Sequence, residues 1–194
     1  MKNIIKSTAL LLCSLAFLTA CDDDRDNNPT IQTPTTFVLN TPSYAQANVD
    51  LATSESLAFS WSQPDYGFPA LASYQIQVSP TNRWTKDIQA GEKDATDQAV
   101  GDYKTFDTEF SLVKGSVAAN EMAKALQEIV RYEPNNVPAS QDVYVRVRAA
   151  YAGDTIYSNA VQIKVLPYYM KLKDAAIDVW YLIGGCIGDG AWTN

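Results

Sequence analysis

The chain has 194 residues, of which 46% are hydrophobic and 19% charged, and its formal net charge is −7. The apolar fraction is typical of a globular protein and excludes disorder over the whole length. An acidic chain without a basic block is a poor nucleic-acid binder, because that affinity depends on neutralised phosphates. The sequence contains no histidine, which excludes Ser-His-Asp and Cys-His nucleophiles and histidine-containing zinc sites. These properties predict a protein that is not an enzyme, with no catalytic residues, cofactor or metal.

The first twenty residues have the pattern of an export signal. Lys2 and Lys6 come before a short apolar run at 9–18, which is well below the roughly 20 residues that a membrane-spanning helix needs. The run ends in the letters LTAC at 18–21, which resemble a bacterial lipobox. The resemblance implies cleavage of a signal peptide at 1–20 and lipid attachment at Cys21. An ordinary secretory signal or a buried apolar strand is the alternative.

An acidic stretch follows the predicted lipid site. Residues 22–28 read DDDRDNN and contain no apolar side chain, so we expect 21–34 to be a solvated, lipid-anchored tether. Such a run behind a lipidated cysteine resembles the surface-export signal of lipoproteins from the Bacteroides group, while a plain linker is the alternative. With Cys13 removed and Cys21 acylated, only Cys186 is left, and one thiol forms no internal disulfide. Cys186 is expected to be a buried small hydrophobic residue.

Period-2 alternation of apolar and polar residues predicts several half-buried strands. Turn chemistry separates them, with Pro, Gly, Asn and Asp clustered at 63–69, 79–82 and 152–154. About seven short strands without alternating helices predict an all-β, antiparallel sandwich. The apolar positions of the predicted strands are Leu57, Phe59 and Trp61; Tyr74, Ile76 and Val78; Val143, Val145, Val147 and Ala149; and Ile156, Val161, Ile163 and Val165, with shorter candidates at 36–39 and 105–112.

One helix interrupts the strand pattern. Its apolar residues recur at helical spacing and predict a single face that packs on the sandwich. Gly115-Ser116 is the expected start and Pro134 must end the helix. The face consists of Ala118, Met122, Ala125, Leu126 and Ile129.

The strand at 57–64, LAFSWSQP, resembles the second strand of a fibronectin type III or immunoglobulin-like domain, in which a tryptophan fills the core. The segments at 143–149 and 157–161 resemble its last hairpin. Val143 stands where a corner tyrosine is expected, and the helix is not standard for that fold.

Both departures suit a narrower family. The letters FVLNTP at 37–42 and WSQPDYGFP at 61–69 resemble the amino-terminal domain of the SusE and SusF family, outer-membrane starch-binding lipoproteins of the Bacteroides group. The resemblance covers essentially the whole chain. It implies an immunoglobulin-like domain at 35–167 that acts as a spacer, with an inserted helix.

The carboxyl-terminal part, 168–194, reads as a linker and the truncated start of a second β-sandwich domain. The letters WYLIG at 180–184 resemble the opening strand of a carbohydrate-binding module in this family. The few residues that follow are too few to bury a core, so we expect the chain to be a fragment of a longer protein. A short strand that docks back onto the sandwich is the alternative.

The leading functional interpretation is a lipid-anchored glycan-binding protein on the outer membrane, facing the cell exterior. By resemblance, its partners are starch or a related polysaccharide, the starch-uptake transporter and a companion lipoprotein. A second interpretation is the non-catalytic front domain of a surface polysaccharide hydrolase. Glycoside hydrolysis needs two carboxyl groups, and Asp65, Asp107 and Glu109 are candidates by residue type alone. A third is an adhesion or fimbrial subunit, because such sandwiches associate through strand edges.

Exposed aromatic residues are the only candidates for direct contact with sugar, and none is assigned to a binding site. Tyr66 and Phe68 lie in a loop bounded by Pro and Gly, and Trp84 follows a turn. Each is a possible stacking platform, although loop aromatics more often hold their own loop to the core. Trp61 is assigned to the core, and the role of Trp192 depends on the rest of the second module.

Overall fold

The computed structural model describes residues 30–88 and 101–172. The predicted lipid site at Cys21 and the predicted second module, including Cys186 and Trp192, lie outside the described residues. The described part forms eight strands and one helix: β1 Asn48–Asp50, β2 Ser56–Ser60, β3 Ser73–Ser79, β4 Lys104–Thr105, β5 Lys114–Ala118, α1 Ala119–Val130, β6 Gln141–Tyr151, β7 Asp154–Tyr157 and β8 Val161–Leu166.

The strands form two sheets. The larger sheet has the order β1-β8-β6-β3-β4, with β7 also paired to β6, and the smaller sheet pairs β2 with β5. All these pairs are antiparallel except β1 with β8. Because β3 occupies one edge of β6, β7 and β8 follow one another along its other edge. The predicted all-β sandwich with one helix is confirmed.

The core lies where the alternation predicted it. Every second residue of β6 from Val143 to Ala149 is buried, and β2 buries Leu57 and Phe59 between exposed neighbours. Trp61, which is only 3% exposed, joins this core as predicted. Burial of these apolar faces between the two sheets supplies the main stabilisation of the fold.

Helix α1 packs on β5, β2 and β3, and it buries the predicted face from Met122 to Ile129. Its predicted start was wrong, because Gly115-Ser116 belongs to β5 and pairs with β2. The reason is steric: a Cβ on Gly115 would lie 2.6 Å from the Phe110 ring, so the glycine admits that ring to the core rather than opening a helix. The helix ends at Val130, and the capping residue Arg131 adopts a left-handed φ of 61° ahead of Pro134.

Two of the shorter predicted strands are largely absent. At 36–39 the structure has only a bridge from Leu39 to Trp61, and within 105–112 Thr105 belongs to β4 while Phe110 forms a bridge to Tyr74. In the first segment, the side chain of Asn159 forms hydrogen bonds to Leu39 of the kind that a neighbouring strand would otherwise supply. The Leu39 N–H donates to Asn159 Oδ1 at 2.8 Å, and Asn159 Nδ2 donates to the Leu39 carbonyl at 3.2 Å.

The amino-terminal end of the described domain lies where β6 ends. The Gln32 N–H donates to the carbonyl of Tyr66, and the Tyr66 ring packs on Tyr151, the last residue of β6, with ring centroids 5.0 Å apart. Ala152 and Gly153, with φ of 52° and 89°, form the two-residue turn that joins β6 to β7 at this end.

The carboxyl-terminal end lies where β6 begins. The Met170 N–H donates to Gln127 Oε1, and Gln127 Nε2 donates to the carbonyl of Tyr132. The Tyr132 hydroxyl in turn bonds to Gln141, the first residue of β6. At ~3.3 Å per residue, the 11 residues of β6 hold the two ends of the domain roughly 33 Å apart.

Candidate functional site

The loop at 63–69 does not present its tyrosine to solvent. Tyr66 is buried against Tyr151, and Phe68 packs on the same ring at 5.9 Å in an edge-on arrangement. Asp65 Oδ1 accepts the Gly67 N–H at 2.9 Å, and Gly67 has a φ of 87° that favours glycine. The candidate stacking role of Tyr66 was therefore wrong, and the aromatics of this loop hold it to the core.

The Tyr66 hydroxyl has an unusual environment. It is buried, and it has no hydrogen-bond partner among the described residues. Burial raises the pKa of Tyr66, and the nearby Asp154 and Tyr151 raise it further. Replacing Tyr66 with phenylalanine removes an unsatisfied polar group without a large change in shape. We expect the free energy of unfolding to stay within about 0.5 kcal/mol of wild type or to increase, as measured by urea denaturation.

The matched control is Tyr132→Phe, which removes a hydroxyl that is bonded to Gln141. That change is expected to lower the free energy of unfolding by about 1 kcal/mol. A larger loss from Tyr66→Phe than from Tyr132→Phe contradicts the prediction, because it means that the Tyr66 hydroxyl makes a stabilising bond.

The three carboxylates considered for hydrolysis are all exposed. Asp65 caps the turn of its own loop, while Asp107 and Glu109 lie between β4 and β5. Within residues 30–88 and 101–172, no cluster of three or more acidic or cysteine side chains is arranged to hold a metal ion. The same residues include no helix with the length and apolar character needed to cross a bilayer.

Trp84 belongs to a cluster on the outer face of the larger sheet. The Arg146 guanidinium carbon lies 4.2 Å from the centroid of the Trp84 ring and 4.1 Å from that of Tyr157, so the two rings flank it. The Tyr103 ring lies 5.5 Å from the same carbon and 5.7 Å from Trp84. We call Trp84, Tyr103, Arg146 and Tyr157 the aromatic–arginine cluster.

A hydrogen-bonded row beneath the cluster orients the arginine. Arg146 Nε donates to Gln77 Oε1 at 2.7 Å, and these residues lie directly opposite each other on β6 and β3. Gln77 Nε2 donates to Thr105 Oγ1 at 2.8 Å, and the Thr105 hydroxyl donates to Asp87 at 2.6 Å. Gln77 is buried although it points to the outer face, because Arg146 and its neighbours cover it.

The turn that carries Trp84 is fixed by side-chain hydrogen bonds. Asp102 Oδ1 accepts the backbone N–H groups of Thr85 and Lys86 at 3.0 Å each. The Trp84 indole N–H donates to Asn82 Oδ1 at 3.0 Å, and Asn82 adopts a left-handed φ of 55°. The indole is therefore held in place by the turn itself.

Two acidic residues act on the arginine of the cluster. Burial lowers the pKa of Arg146, but an arginine stays protonated at any physiological pH. Asp87 and Asp102 are the nearby acids, and both act on the pKa of Arg146 and on that of Tyr103. For Tyr103, burial is the main cause of a raised pKa, and Asp87 adds to it.

Of the cluster, only Trp84 was a candidate in the sequence; Tyr103, Arg146 and Tyr157 were missed. The sequence held the residue types of a signal, but not the strand register that pairs them. Two glutamines spaced by two in β3, at 75 and 77, lie opposite two arginines spaced by two in β6, at 146 and 148. The second pair is also bonded, with Arg148 Nη1 donating to Gln75 Oε1 at 2.7 Å.

The described residues therefore define a domain of the all-β sandwich class, with one helix packed on it and an ordered aromatic–arginine cluster on an outer face. The family model described as SusE outer membrane protein matches residues 23–148, more than half of the chain. This chain belongs to the SusE outer membrane protein family. The resemblance found in the sequence is thereby confirmed, as is the link to the outer membrane.

Proposed function

We propose that this chain is the anchor and spacer part of a lipid-anchored glycan-binding protein that faces the cell exterior. In this proposal Cys21 carries the lipid, 21–34 is the tether, and an immunoglobulin-like domain at 35–167 separates the membrane from glycan-binding modules that begin after residue 167. Starch or a related polysaccharide is the glycan. The starch-uptake transporter and its companion lipoprotein are the partners, and the protein acts by binding rather than catalysis.

The observation that carries the proposal is the position of the two ends of the domain. The chain enters beside Tyr151 and leaves beside Gln141, at opposite ends of β6 and roughly 33 Å apart. An anchor before the domain and binding modules after it are then held apart by the length of the sandwich. A domain whose ends met at one side would not separate them in this way.

Lipid attachment is tested by metabolic labelling with radioactive palmitate in cells that export the protein to their outer membrane. We expect Cys21→Ala to abolish labelling of the mature protein, because the thiol is the attachment point. The matched control is Cys13→Ala, which changes a cysteine within the predicted signal and should leave the label in place. Labelling that persists in Cys21→Ala contradicts the anchor assignment.

The spacer role is tested with the whole gene product, including any sequence that follows Asn194. A variant that lacks 35–167 is compared with wild type for binding to amylopectin, both as purified protein and on intact cells. We expect purified variant protein to retain most of its binding while intact cells bind much less. Complete loss of binding by the purified variant contradicts the proposal, since the main sugar site would then lie within 35–167.

A further inference from the structure

The aromatic–arginine cluster keeps aromatic surface in contact with solvent. Tyr157 is 46% exposed although one side of its ring faces the Arg146 guanidinium. Trp84, on the other side of that guanidinium, is half-buried. The cluster thus presents flat ring surface beside a cationic group.

Arg146 also keeps unused hydrogen-bond donors. A guanidinium has five N–H groups, and only Nε–H is bonded to a described residue, namely Gln77. The Nη groups are not completely buried, because the fully buried side-chain polar atoms without a partner in the described residues are those of Trp61 and Tyr66, and Arg146 as a whole is half-buried. Four donors therefore lie between two aromatic rings, on a side chain that is already ordered.

The two nearby acids bear on the class of ligand. Asp87 and Asp102 lie close to the guanidinium and offset its charge, and the whole chain is acidic at −7. A phosphate or carboxylate ligand gains little from such a site. A neutral sugar suits it, because a pyranose ring offers an apolar face for stacking and hydroxyl oxygens that accept N–H donors.

We propose that the aromatic–arginine cluster is an accessory binding site for a neutral polysaccharide within the sandwich itself. Tyr157 is the stacking platform through the ring face turned away from Arg146, and the Nη groups of Arg146 donate past the ring edge to hydroxyls of a neighbouring sugar unit. The proposal deepens the function proposed above and rests on it for the choice of starch as the first probe. It adds a contact beyond the modules placed after residue 167.

Preorganisation supports this assignment. The Trp84 turn is fixed by Asp102, and the arginine is fixed through Gln77, Thr105 and Asp87. Because these groups are ordered before any ligand arrives, binding does not incur the cost of ordering them. A solvent-facing arginine without such supports would lose that advantage.

The test is affinity electrophoresis of the 194-residue chain in detergent, in native gels that contain soluble starch, dextran or polygalacturonate. We expect starch to retard the chain and the anionic polymer to leave it unretarded. Tyr157→Ala should weaken retention about three- to tenfold, as loss of one stacking ring implies, while Tyr157→Phe should retain it. Arg146→Lys should also weaken retention, because an ammonium lacks the planar fork.

The control is Tyr169→Ala, which removes another exposed tyrosine, 38% exposed, outside the cluster. Free migration of wild type in both neutral polymers overturns the proposal, as does retention by polygalacturonate alone. Equal weakening by Tyr157→Ala and Tyr169→Ala overturns it too. These failures leave the spacer proposal standing, because that proposal depends on palmitate labelling and on amylopectin binding by the whole gene product.

Discussion

Replacing Trp61 with alanine is expected to lower the free energy of unfolding by about 3–5 kcal/mol, the usual result of truncating a large buried aromatic residue. The Trp61 ring lies 5.5 Å from Tyr74 and 6.0 Å from Phe110, so its loss leaves a cavity between the two sheets. Urea denaturation followed by far-ultraviolet circular dichroism measures this loss without depending on tryptophan fluorescence.

Two variants sharpen the result. Leu71→Ala removes a large apolar side chain that is 91% exposed and should change the free energy of unfolding by less than about 0.5 kcal/mol. Trp61→Phe should cost less than Trp61→Ala, because a smaller ring remains and a buried indole N–H without a partner among the described residues is removed. A loss below about 1 kcal/mol in Trp61→Ala contradicts the assignment of Trp61 to the core.

The ion pair between Lys104 and Glu128 is the second site where a large effect is expected. Lys104 lies on β4 and Glu128 on α1, and their side chains are only 13% and 10% exposed. Glu128→Gln leaves the ammonium largely buried without its counter-charge. We expect the free energy of unfolding to fall by about 3 kcal/mol, since an uncompensated charge in a low-dielectric site is costly.

A double variant separates the net contribution of the ion pair to stability from the free energy lost when one charge is left unpaired. Lys104→Met together with Glu128→Leu removes both charges and should stay within about 1 kcal/mol of wild type. The exposed Lys124 also lies 3.9 Å from Glu128, and Lys124→Ala should cost less than about 0.5 kcal/mol. If the double variant loses as much free energy of unfolding as Glu128→Gln does, the contact stabilises the fold through packing rather than through the pairing of charges.

Alternation predicted the central strands because one face of each lies against the core. The pattern in β2 and β6 follows burial, and so does the helical spacing from Met122 to Ile129. In β3 it does so only as far as Ile76, because Gln77 and Ser79 are buried as well. It failed where other forces decide. β5 was missed because Gly115-Ser116 suggested the start of the helix, while Gly115 in fact makes room for Phe110. Leu39 lies in an extended segment that a side chain, Asn159, completes.

The aromatic–arginine cluster was harder to predict than the fold. Trp84, Tyr103, Arg146 and Tyr157 are far apart in sequence, and only the register between β3, β6 and β7 brings the arginine to the rings. A single sequence gives strand patterns but does not give register, which depends on pairing across the sheet. The Trp84 turn was recognisable by its composition, whereas its partners on the sheet were not.

The opposite placement of Gln32 and Met170 has a mechanical consequence. Ladder hydrogen bonds lie across the strands, so tension between the two ends of the domain loads the bonds of Leu39 to Asn159 and of Asn40 to Ser60 together. Hydrogen bonds that are loaded together break only as a group, whereas hydrogen bonds that are loaded in turn break one after another. The sandwich is thus oriented to withstand a steady pull along its own strands.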